Sequence, residues 1–317
     1  MKRRTFLATS TALAAAAAFP VAAADWQPRR PINLVVPYPP GGGTSTYGRA
    51  LIGPLSDRLG VPVNIVNKPG AGGVNGATEV AAARPDGQTL MVTTGGALVM
   101  HSIFKDIPVD PFDSFEIVAQ VGGLQGSIVV PANSPHQTLA DLVEAIKASP
   151  GGLRWAHTGR GAFLHVSGQS FLVANGLEAT DVPFKGGAKV RAAVVGGQVD
   201  YAIIGVQQNR GFENEMRALA LIAPERDGLQ PHIPTVAEQG LEYKFVNTPI
   251  TMFAPAGTPA EVIETVSGHV AEIVGSEAYG EEMKAKGLLP AYLGPEDAEA
   301  RLRDLAETVR PIIEGIM

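Results

Sequence analysis

A strand, a glycine run and a helix follow one another near the start of the chain, and this order constrains the fold most. Ile32–Val36 has the apolar character of a buried strand, and the run from Tyr38 to Ser45 (YPPGGGTS) follows directly. A helical pattern then continues to Leu59, and Pro54 inside it is expected to kink or split the helix. Open α/β sheets bind ligands where strands end in such turns, and glycines leave room for a close backbone approach.

The same order of elements recurs along the chain. Strands are predicted at 61–66, 89–93, 117–121, 127–130, 153–156, 199–204, 219–223 and 251–254, with helices predicted between most of them. No element is predicted at 97–114 or 275–294. Further glycine loops follow strands at 67–73, 94–96, 158–161 and 185–187. The alternation predicts an α/β protein with parallel crossovers, and the loops predict a ligand site at the strand ends.

Two helix starts are predicted from capping chemistry. Thr138 and Asp141 have the spacing of a capping box, in which each side chain satisfies a backbone N–H at the helix start. Thr258 precedes Pro259 and Glu261, which is typical of an N-cap followed by a first-turn proline.

Composition excludes several classes of function. The 317 residues are 45% hydrophobic with a formal charge of −6, and no basic stripe points to nucleic acid. Cysteine is absent, which excludes disulfides, thiol catalysis and cysteine metal sites. The length allows one large or two ordinary domains, each with its own core.

Residues 1–24 have the pattern of a secretory signal peptide. A basic start (Lys2-Arg3-Arg4) precedes an alanine-rich apolar run and a small-residue cleavage site at 22–24. The arginine pair also fits a twin-arginine signal, so the export route stays open. Removal of three positive charges takes the formal charge from −6 to −9. The pattern predicts an exported, periplasmic protein.

The motifs of common enzymes are missing. The histidines are scattered with no metal-ligand spacing, and Lys185-Gly186-Gly187 lacks the order of a phosphate-binding loop. Tyr47 follows Thr46 where a nucleophile elbow needs glycine. His165 is interpreted as a packing or capping residue in preference to a catalyst, and Trp155 as core. We therefore expect binding without catalysis, with no cofactor, no metal and no catalytic residue.

The chain from about Trp26 onward resembles the Bug family, the TctC-like extracytoplasmic solute receptors of tripartite tricarboxylate transporters. The resemblance rests on several motifs spread along the chain: 31–44, 67–73, 85–90, 183–188, 196–200, 233–238 and 253–259. It implies an α/β, two-lobe, type II-like periplasmic binding fold with two crossing strands and a ligand cleft between the lobes. By the likeness, lobe one is 25–125 plus 248–317 and lobe two is 126–247, with hinges near 122–127 and 247–252.

The resemblance also implies a periplasmic solute-binding receptor that closes on a small carboxylate-bearing ligand and serves a tripartite tricarboxylate-type membrane transporter as a monomer. A ligand-loaded partner of a sensor kinase and an exported enzyme using the same cleft are the alternatives. The candidate ligand-binding residues are Tyr38, Gly42, Gly43, Thr44, Ser45, Thr94, Gly95, Gly96, Thr158, Gly159, Arg160, Gly161, His165, Lys185, Gly186, Gly187 and Gln207.

Three departures from the family pattern fall at the expected site. Ser45 stands where the family usually carries Asp, Arg160 lies in the 158–162 loop, and the segment 204–209 is unlike the common forms. The first two changes favour more negative charge on the ligand, and arginine can hold a carboxylate with two parallel hydrogen bonds. This predicts a ligand with a second acidic group, gripped by Arg160; the alternative is that Arg160 faces solvent or pairs with a surface acid.

Overall fold

The computed structural model describes residues 26–105, 107–244 and 248–315. The signal peptide predicted at 1–24 therefore lies outside the described residues, as does Asn247 of the second predicted hinge. Within the described ranges, no helix combines the length and the apolar character needed to cross a membrane.

The described residues form two β-sheets with helices packed on them. The strands are β1 (Ile32–Val36), β2 (Val63–Asn67), β3 (Thr89–Thr94), β4 (Phe115–Gly123), β5 (Gly126–Pro131), β6 (Arg154–His157), β7 (Thr180–Pro183), β8 (Tyr201–Gly205), β9 (Met216–Ile222), β10 (Pro249–Pro255) and β11 (Pro290–Leu293). The helices are α1 (Gly43–Leu59), α2 (Val74–Ala81), α3 (Gly95–Phe104), α4 (Leu139–Ala148), α5 (Phe163–Ala174), α6 (Gly187–Val195), α7 (Ala260–Val274), α8 (Glu277–Ala285) and α9 (Pro295–Glu314).

Each sheet forms the centre of one lobe. Lobe one contains the six-stranded sheet, ordered β11-β4-β10-β3-β1-β2, and lobe two the five-stranded sheet, ordered β7-β6-β8-β5-β9. In lobe one, β1 runs parallel to both β2 and β3, while β10 is antiparallel to β3 and β4. In lobe two, β6 is parallel to β7 and β8. The glycine loops that follow β1, β3, β6 and β7 therefore start at the carboxyl ends of strands.

The chain passes between the sheets twice, and the two passages lie side by side. The first runs from the end of β4 at Gly123 to the start of β5 at Gly126, and the second enters β10 at Pro249. Gly123 pairs with Pro249, and the Leu124 N–H donates to the Thr248 carbonyl over 3.0 Å. The exact lobe bounds and the hinge positions remain predictions.

Apolar burial holds each lobe together. In lobe one, Leu51 and Leu55 of α1 are buried against a cluster that includes Leu34, Val92 and Met252. In lobe two, Val129, Ala202 and Ile204 pack with Val190 and Val194 of α6. Burying a leucine-sized side chain stabilises a fold by roughly 1.5–3 kcal/mol. Trp155 is completely buried, which confirms its interpretation as a core residue.

Several local predictions can be compared with this architecture. The capping box at Thr138 is confirmed, since Thr138 Oγ1 accepts from Asp141 N over 3.1 Å and Asp141 Oδ2 accepts from Thr138 N over 2.9 Å. Of the two outcomes expected at Pro54, the split is wrong, because α1 continues through the proline, and the kink remains a prediction. Proline removes only one backbone donor, and the burial of Leu51 and Leu55 on either side holds the helix.

Three elements lie where none was predicted, and the N-cap of α7 differs from the predicted one. Residues 97–114 contain most of α3, and 275–294 contain α8 and β11, where no element was expected. The α3 sequence is an apolar run with little periodicity, because seven consecutive residues from Gly95 to His101 are buried. Thr258 is not the N-cap of α7: Pro259 holds that position, and Thr258 Oγ1 donates to the Pro255 carbonyl over 2.7 Å.

Candidate functional site

A cavity of about 230 Å³ lies between the strand ends of the two lobes. We call it the first cavity. Its volume is somewhat below the range of roughly 300–1,000 Å³ that is usual for pockets holding drug-sized ligands, which suits a small metabolite. It is lined by Tyr38, Pro39, Pro40, Gly42, Gly43, Thr44, Thr94, Ala97, Leu124, Thr158, Ala162, Phe163, Leu164, Lys185, Gly186, Gly187, Ala188, Lys189, Gly205, Gln207 and Gln208.

Lobe one contributes the loop between β1 and α1. Gly42 is the N-cap of α1 and makes no side-chain cap. The buried Thr44 and Thr94 hydroxyls are 3.1 Å apart, which ties the start of α1 to the end of β3. Tyr38 donates its hydroxyl to the Gly72 carbonyl over 3.2 Å, and burial raises the pKa of this phenol. Tyr38 is therefore a neutral, fixed wall of the cavity.

Lobe two contributes the starts of α5 and α6 and the end of β8. Ala162 and Gly186 are the N-caps of the two helices, and neither helix has a side-chain cap. Gln207 follows β8 and reaches lobe one, because a Cβ built on Gly43 would lie only 2.6 Å from its Nε2. Gly43 therefore permits the two lobes to approach each other at this point.

The helices that begin at the first cavity differ from most of those that begin elsewhere, although α2, which follows the 67–73 loop, also lacks a side-chain cap and a first-turn acid. Helices α1, α3, α5 and α6 have neither a side-chain cap nor an acidic residue in the first turn. In contrast, α4, α7, α8 and α9 all have an acidic first-turn residue, and α4 and α8 are also capped by Thr138 and Ser276. An uncapped helix start leaves backbone N–H donors free and carries partial positive charge. Four such starts around one cavity form an anion-binding environment.

The charged side chains around the cavity have one sign. Lys185 and Lys189 line it, and no aspartate or glutamate is among the described lining residues. The formal charge of the whole chain is negative, so the attraction for an anion arises locally from these lysines and the helix starts. A ligand ammonium group would find no carboxylate partner among these residues.

A second cavity of about 360 Å³ adjoins the first. It is lined by Pro37, Tyr38, Pro39, Pro69, Gly70, Ala71, Gly72, Gly73, Lys105, Thr158, Gly159, Arg160, Pro183, Phe184, Lys185 and Gly186. Arg160 lies here, but its guanidinium is engaged with Asp181 through two hydrogen bonds of 2.7 and 3.0 Å. The contact with Asp181 matches the alternative in which Arg160 pairs with an acid. Hydrogen bonding of Arg160 to a ligand carboxylate remains a prediction.

His157, His165 and Asp181 form a cluster whose potential metal-ligand atoms all lie within 4.8 Å of one another. No metal-ligand spacing is visible in the sequence, because the three residues come from β6, α5 and β7. The Nδ1 atoms of His157 and His165 accept from the backbone N–H groups of Gly159 and Gly161, each over 3.2 Å. Both rings therefore carry hydrogen on Nε2, whereas a ligating histidine normally donates from its other nitrogen. The cluster suits hydrogen bonding to Asp181 better than a metal ion.

The remaining predicted residues fall outside both cavity linings. They are Ser45, Gly95, Gly96, Gly161 and His165. Ser45 is fully buried in the first turn of α1, and a Cβ on Gly95 would meet the side chain of Thr251. His165 is 5% exposed and stacks on Trp155, with ring centroids 6.0 Å apart. Its packing and its bond to Gly161 agree with the interpretation as a packing or capping residue.

Sequence reasoning missed most of the apolar lining. The apolar residues Ala97, Leu124, Phe163 and Leu164, and the polar Gln208, line the first cavity but were not proposed as site residues. Apolar residues next to glycine loops look like core in the sequence. The one usable signal was position: Leu124 lies inside a predicted crossover, and Phe163 follows a predicted loop.

Comparison with known proteins gives consistent results. A family model described as "Tripartite tricarboxylate transporter family receptor" matches residues 48–317. The protein BugT of Bordetella pertussis is 32% identical over 286 residues, covering 89% of this chain and 87% of BugT.

Solved structures show the same fold. MatC of Rhodopseudomonas palustris with bound malate is 28% identical, with a TM-score of 0.83, and the match covers 90% of this chain and 99% of MatC. A second R. palustris protein, with adipate, is 27% identical, with a TM-score of 0.86, and the match covers 90% of this chain and 97% of that protein. The two-lobe α/β fold expected from the sequence is thereby confirmed.

Proposed function

The chain belongs to the family of tripartite tricarboxylate transporter receptors, and from this premise we propose that it captures a small carboxylate in the first cavity and presents it to a membrane transporter. Receptors of this family are periplasmic solute-binding proteins. The signal peptide predicted at residues 1–24 supports export to that compartment.

The uncapped helix starts carry the proposal. At α1, α3, α5 and α6 the chain has no side-chain cap and no first-turn acid at the cavity, whereas α4, α7, α8 and α9 each place an acid in the first turn. Leaving donors unsatisfied costs stability unless a ligand or water satisfies them. A carboxylate is the small group that best matches converging N–H donors with nearby lysines. The malate and adipate found in related structures belong to the same chemical class.

Closure of the lobes follows from the arrangement of the two passages. A ligand that contacts α1 in lobe one and α6 in lobe two has its highest affinity for the state in which both contacts exist. In the described part of the chain the backbone crosses between the lobes at two adjacent passages, which contact each other at Leu124 and Thr248. We propose that hinges lie at these passages.

We propose a receptor in preference to an enzyme, acting as a monomer. The polar groups at the first cavity are hydroxyls, amides, lysines and backbone N–H groups, which suit binding. A partner of a sensor kinase would use the same cleft, and the genes adjacent to this one would separate transport from sensing. Light scattering of the purified protein would measure its molar mass in solution and test whether it is a monomer.

The proposal is tested by identifying what the protein binds. Mass spectrometry of ligand released from the purified protein, followed by calorimetry with a panel of small carboxylates, should show a tight one-to-one complex. A ligand at 100 times its Kd should stabilise the protein by about 2.7 kcal/mol, which is an easily measured shift in Tm. Failure of every carboxylate to bind, or turnover of a bound one, would refute the proposal.

A further inference from the structure

A glutamine of lobe two lines the first cavity with its two amide atoms in different surroundings. Gln208 ends the short turn at Val206–Gln208 that follows β8, and it is buried. Its Oε1 accepts from Arg191 Nη1 over 2.7 Å. Its Nε2 makes no hydrogen bond to the described residues and keeps some exposed surface. Nε2 is therefore the amide atom that remains available to a ligand.

The contact with Arg191 decides which way this amide faces. A guanidinium can only donate, so the amide atom beside it is the oxygen, and the nitrogen lies on the other side. The Oε1 lies next to the start of α6, since a Cβ built on Gly187 would be 3.8 Å from it. Without such a partner the amide could turn its oxygen toward a bound anion, and repulsion would weaken binding. Arg191 thus leaves the two N–H donors of Gln208 for the cavity.

Arg191, on α6, is held in place by an aromatic ring as well as by the amide. Its guanidinium carbon lies 4.0 Å from the centre of the Phe212 ring, and such stacking fixes the plane of the guanidinium. Among the described residues Arg191 forms no ion pair within 4.0 Å. Burial lowers the pKa of Arg191, but arginine stays charged in proteins. Its charge therefore acts on Gln208 without a neighbouring anion to offset it.

We propose that Arg191 is a positioning residue for the ligand: it holds Gln208 so that the amide N–H groups donate to a carboxylate in the first cavity. This rests on the proposed function and assigns one of its contacts. An amide that accepts from a cation donates more strongly, because the two hydrogen bonds polarise each other. Since the amide is oriented before the ligand arrives, less side-chain freedom is lost on binding. Gln208 also lies in the segment 204–209 that departs from the family pattern.

The experiment is a double-mutant cycle, with Kd measured by calorimetry for lactate, malate, succinate, adipate and benzoate. The variants are Arg191→Met, Gln208→Leu and the two combined, and Arg191→Lys tests whether another cationic donor suffices. The matched control is Arg217→Met. Arg217 is also a partly buried arginine of lobe two with no ion pair in the described residues, and it donates to the Ala132 carbonyl outside both cavity linings. The Tm of each ligand-free variant establishes folding.

The cycle distinguishes an effect through Gln208 from a general effect of the arginine. For each probe that binds the wild type, Arg191→Met should weaken binding roughly tenfold, as expected when an oriented donor to a charged group is lost. In the Gln208→Leu background the same substitution should change Kd by less than about twofold, because Arg191 acts through the amide. Arg191→Lys should keep most of the affinity, and Arg217→Met all of it.

Gln208→Glu separates this role from packing. It keeps the size of the side chain and its contact with Arg191, but it replaces the amide nitrogen by an oxygen. It should therefore weaken carboxylate binding more than Gln208→Leu does, and it decides the question alone if Arg191→Met does not fold.

Three results would overturn this inference and leave the proposed function intact. They are wild-type affinity in a folded Arg191→Met or Gln208→Glu protein, an equal effect of Arg191→Met with and without Gln208, and an equal loss in the Arg217→Met control. Absence of binding of all five probes to the wild type would overturn the proposed function, and this inference with it.

Discussion

Arg160 and Asp181 form a two-point ion pair beside the second cavity, with Nε donating to Oδ2 over 2.7 Å and Nη2 donating to Oδ1 over 3.0 Å. His157 Nε2 lies 3.0 Å from the same Oδ2. These donors hold the pKa of Asp181 below its usual value even though partial burial alone would raise it. The carboxylate therefore competes with any ligand anion for Arg160.

Replacing this carboxylate should release Arg160 toward the ligand. Asp181→Asn removes the negative charge and keeps an oxygen that can accept from His157. We expect dicarboxylates to bind roughly two- to tenfold more tightly, since one charged hydrogen bond becomes available to them. Calorimetry measures the change, and Asp57→Asn on the exposed side of α1 is the control for net charge. Unchanged or weaker dicarboxylate binding in a folded Asp181→Asn protein would remove Arg160 from the site.

The contact between Gly43 and Gln207 predicts a substitution that opens the cleft. A Cβ at Gly43 would lie 2.6 Å from Gln207 Nε2 and 2.8 Å from Leu124 Cδ2, so Gly43→Ala should push the lobes apart. We expect at least tenfold weaker carboxylate binding and a larger radius of gyration by X-ray scattering at saturating ligand. Gly43→Ala combined with Gln207→Ser should recover part of the loss. If Gly43→Ala alone bound carboxylates with wild-type affinity, ligand binding would not require the close contact between the lobes at Gly43.

An acid placed at the start of α6 should affect stability and binding in opposite directions. Ala188 lies in the first turn of α6, where no acidic residue is present, and lines the first cavity. Ala188→Glu should stabilise the ligand-free protein by about 0.3–1 kcal/mol through the helix dipole. It should also abolish carboxylate binding by repulsion. Ala188→Gln controls for size and should bind carboxylates more tightly than Ala188→Glu. Equal affinities of the two variants would mean that charge at the start of α6 does not affect carboxylate binding.

Two buried histidines predict a loss of stability in mild acid. Burial is the main cause that lowers the pKa of His101 and of His165 from 6.5 to about 4. Lys105 adds to this effect at His101, and His157, Arg160 and His101 add to it at His165, against an opposing contribution from Asp181. Because the folded-state pKa is lower than the unfolded one, the stabilisation is complete above pH 6.5 and is lost as the pH falls toward 4.

Each of these histidines should contribute about 3 kcal/mol to that pH dependence. His101 lies at the lobe contact, where a Cβ on Gly161 would be 2.9 Å from its Nδ1. The free energy of unfolding, measured with urea at several pH values between 7 and 4, should therefore fall less steeply with decreasing pH for His101→Asn than for the wild type. His232→Asn, at an exposed position, should leave this dependence of the unfolding free energy on pH unchanged. Identical slopes for all three proteins would contradict the assignment.

The sequence determined the elements that depend on neighbouring residues. Strand β1, the glycine loop and the stop of α1 at Gly60 follow from short-range patterns, as does the capping box at Thr138, because backbone dihedrals and side-chain spacing decide them locally. The α/β class and many cleft residues, including Gly43 and Lys185, followed from loops at strand ends. Helix α3 was missed because its first seven residues are all buried, so it has no amphipathic period.

Only the tertiary structure decided which distant groups meet. Asp181 lies 21 residues beyond Arg160, and its place beside the loop depends on the pairing of β6 with β7. Gln207 approaches Gly43 because β8 and β1 belong to different sheets whose strand ends face one cleft. Such contacts result from sheet order and the burial of remote apolar surfaces, which no local pattern encodes. The sequence thus determined the glycine loops at the strand ends, and the packing of the lobes determined which distant residues they contact.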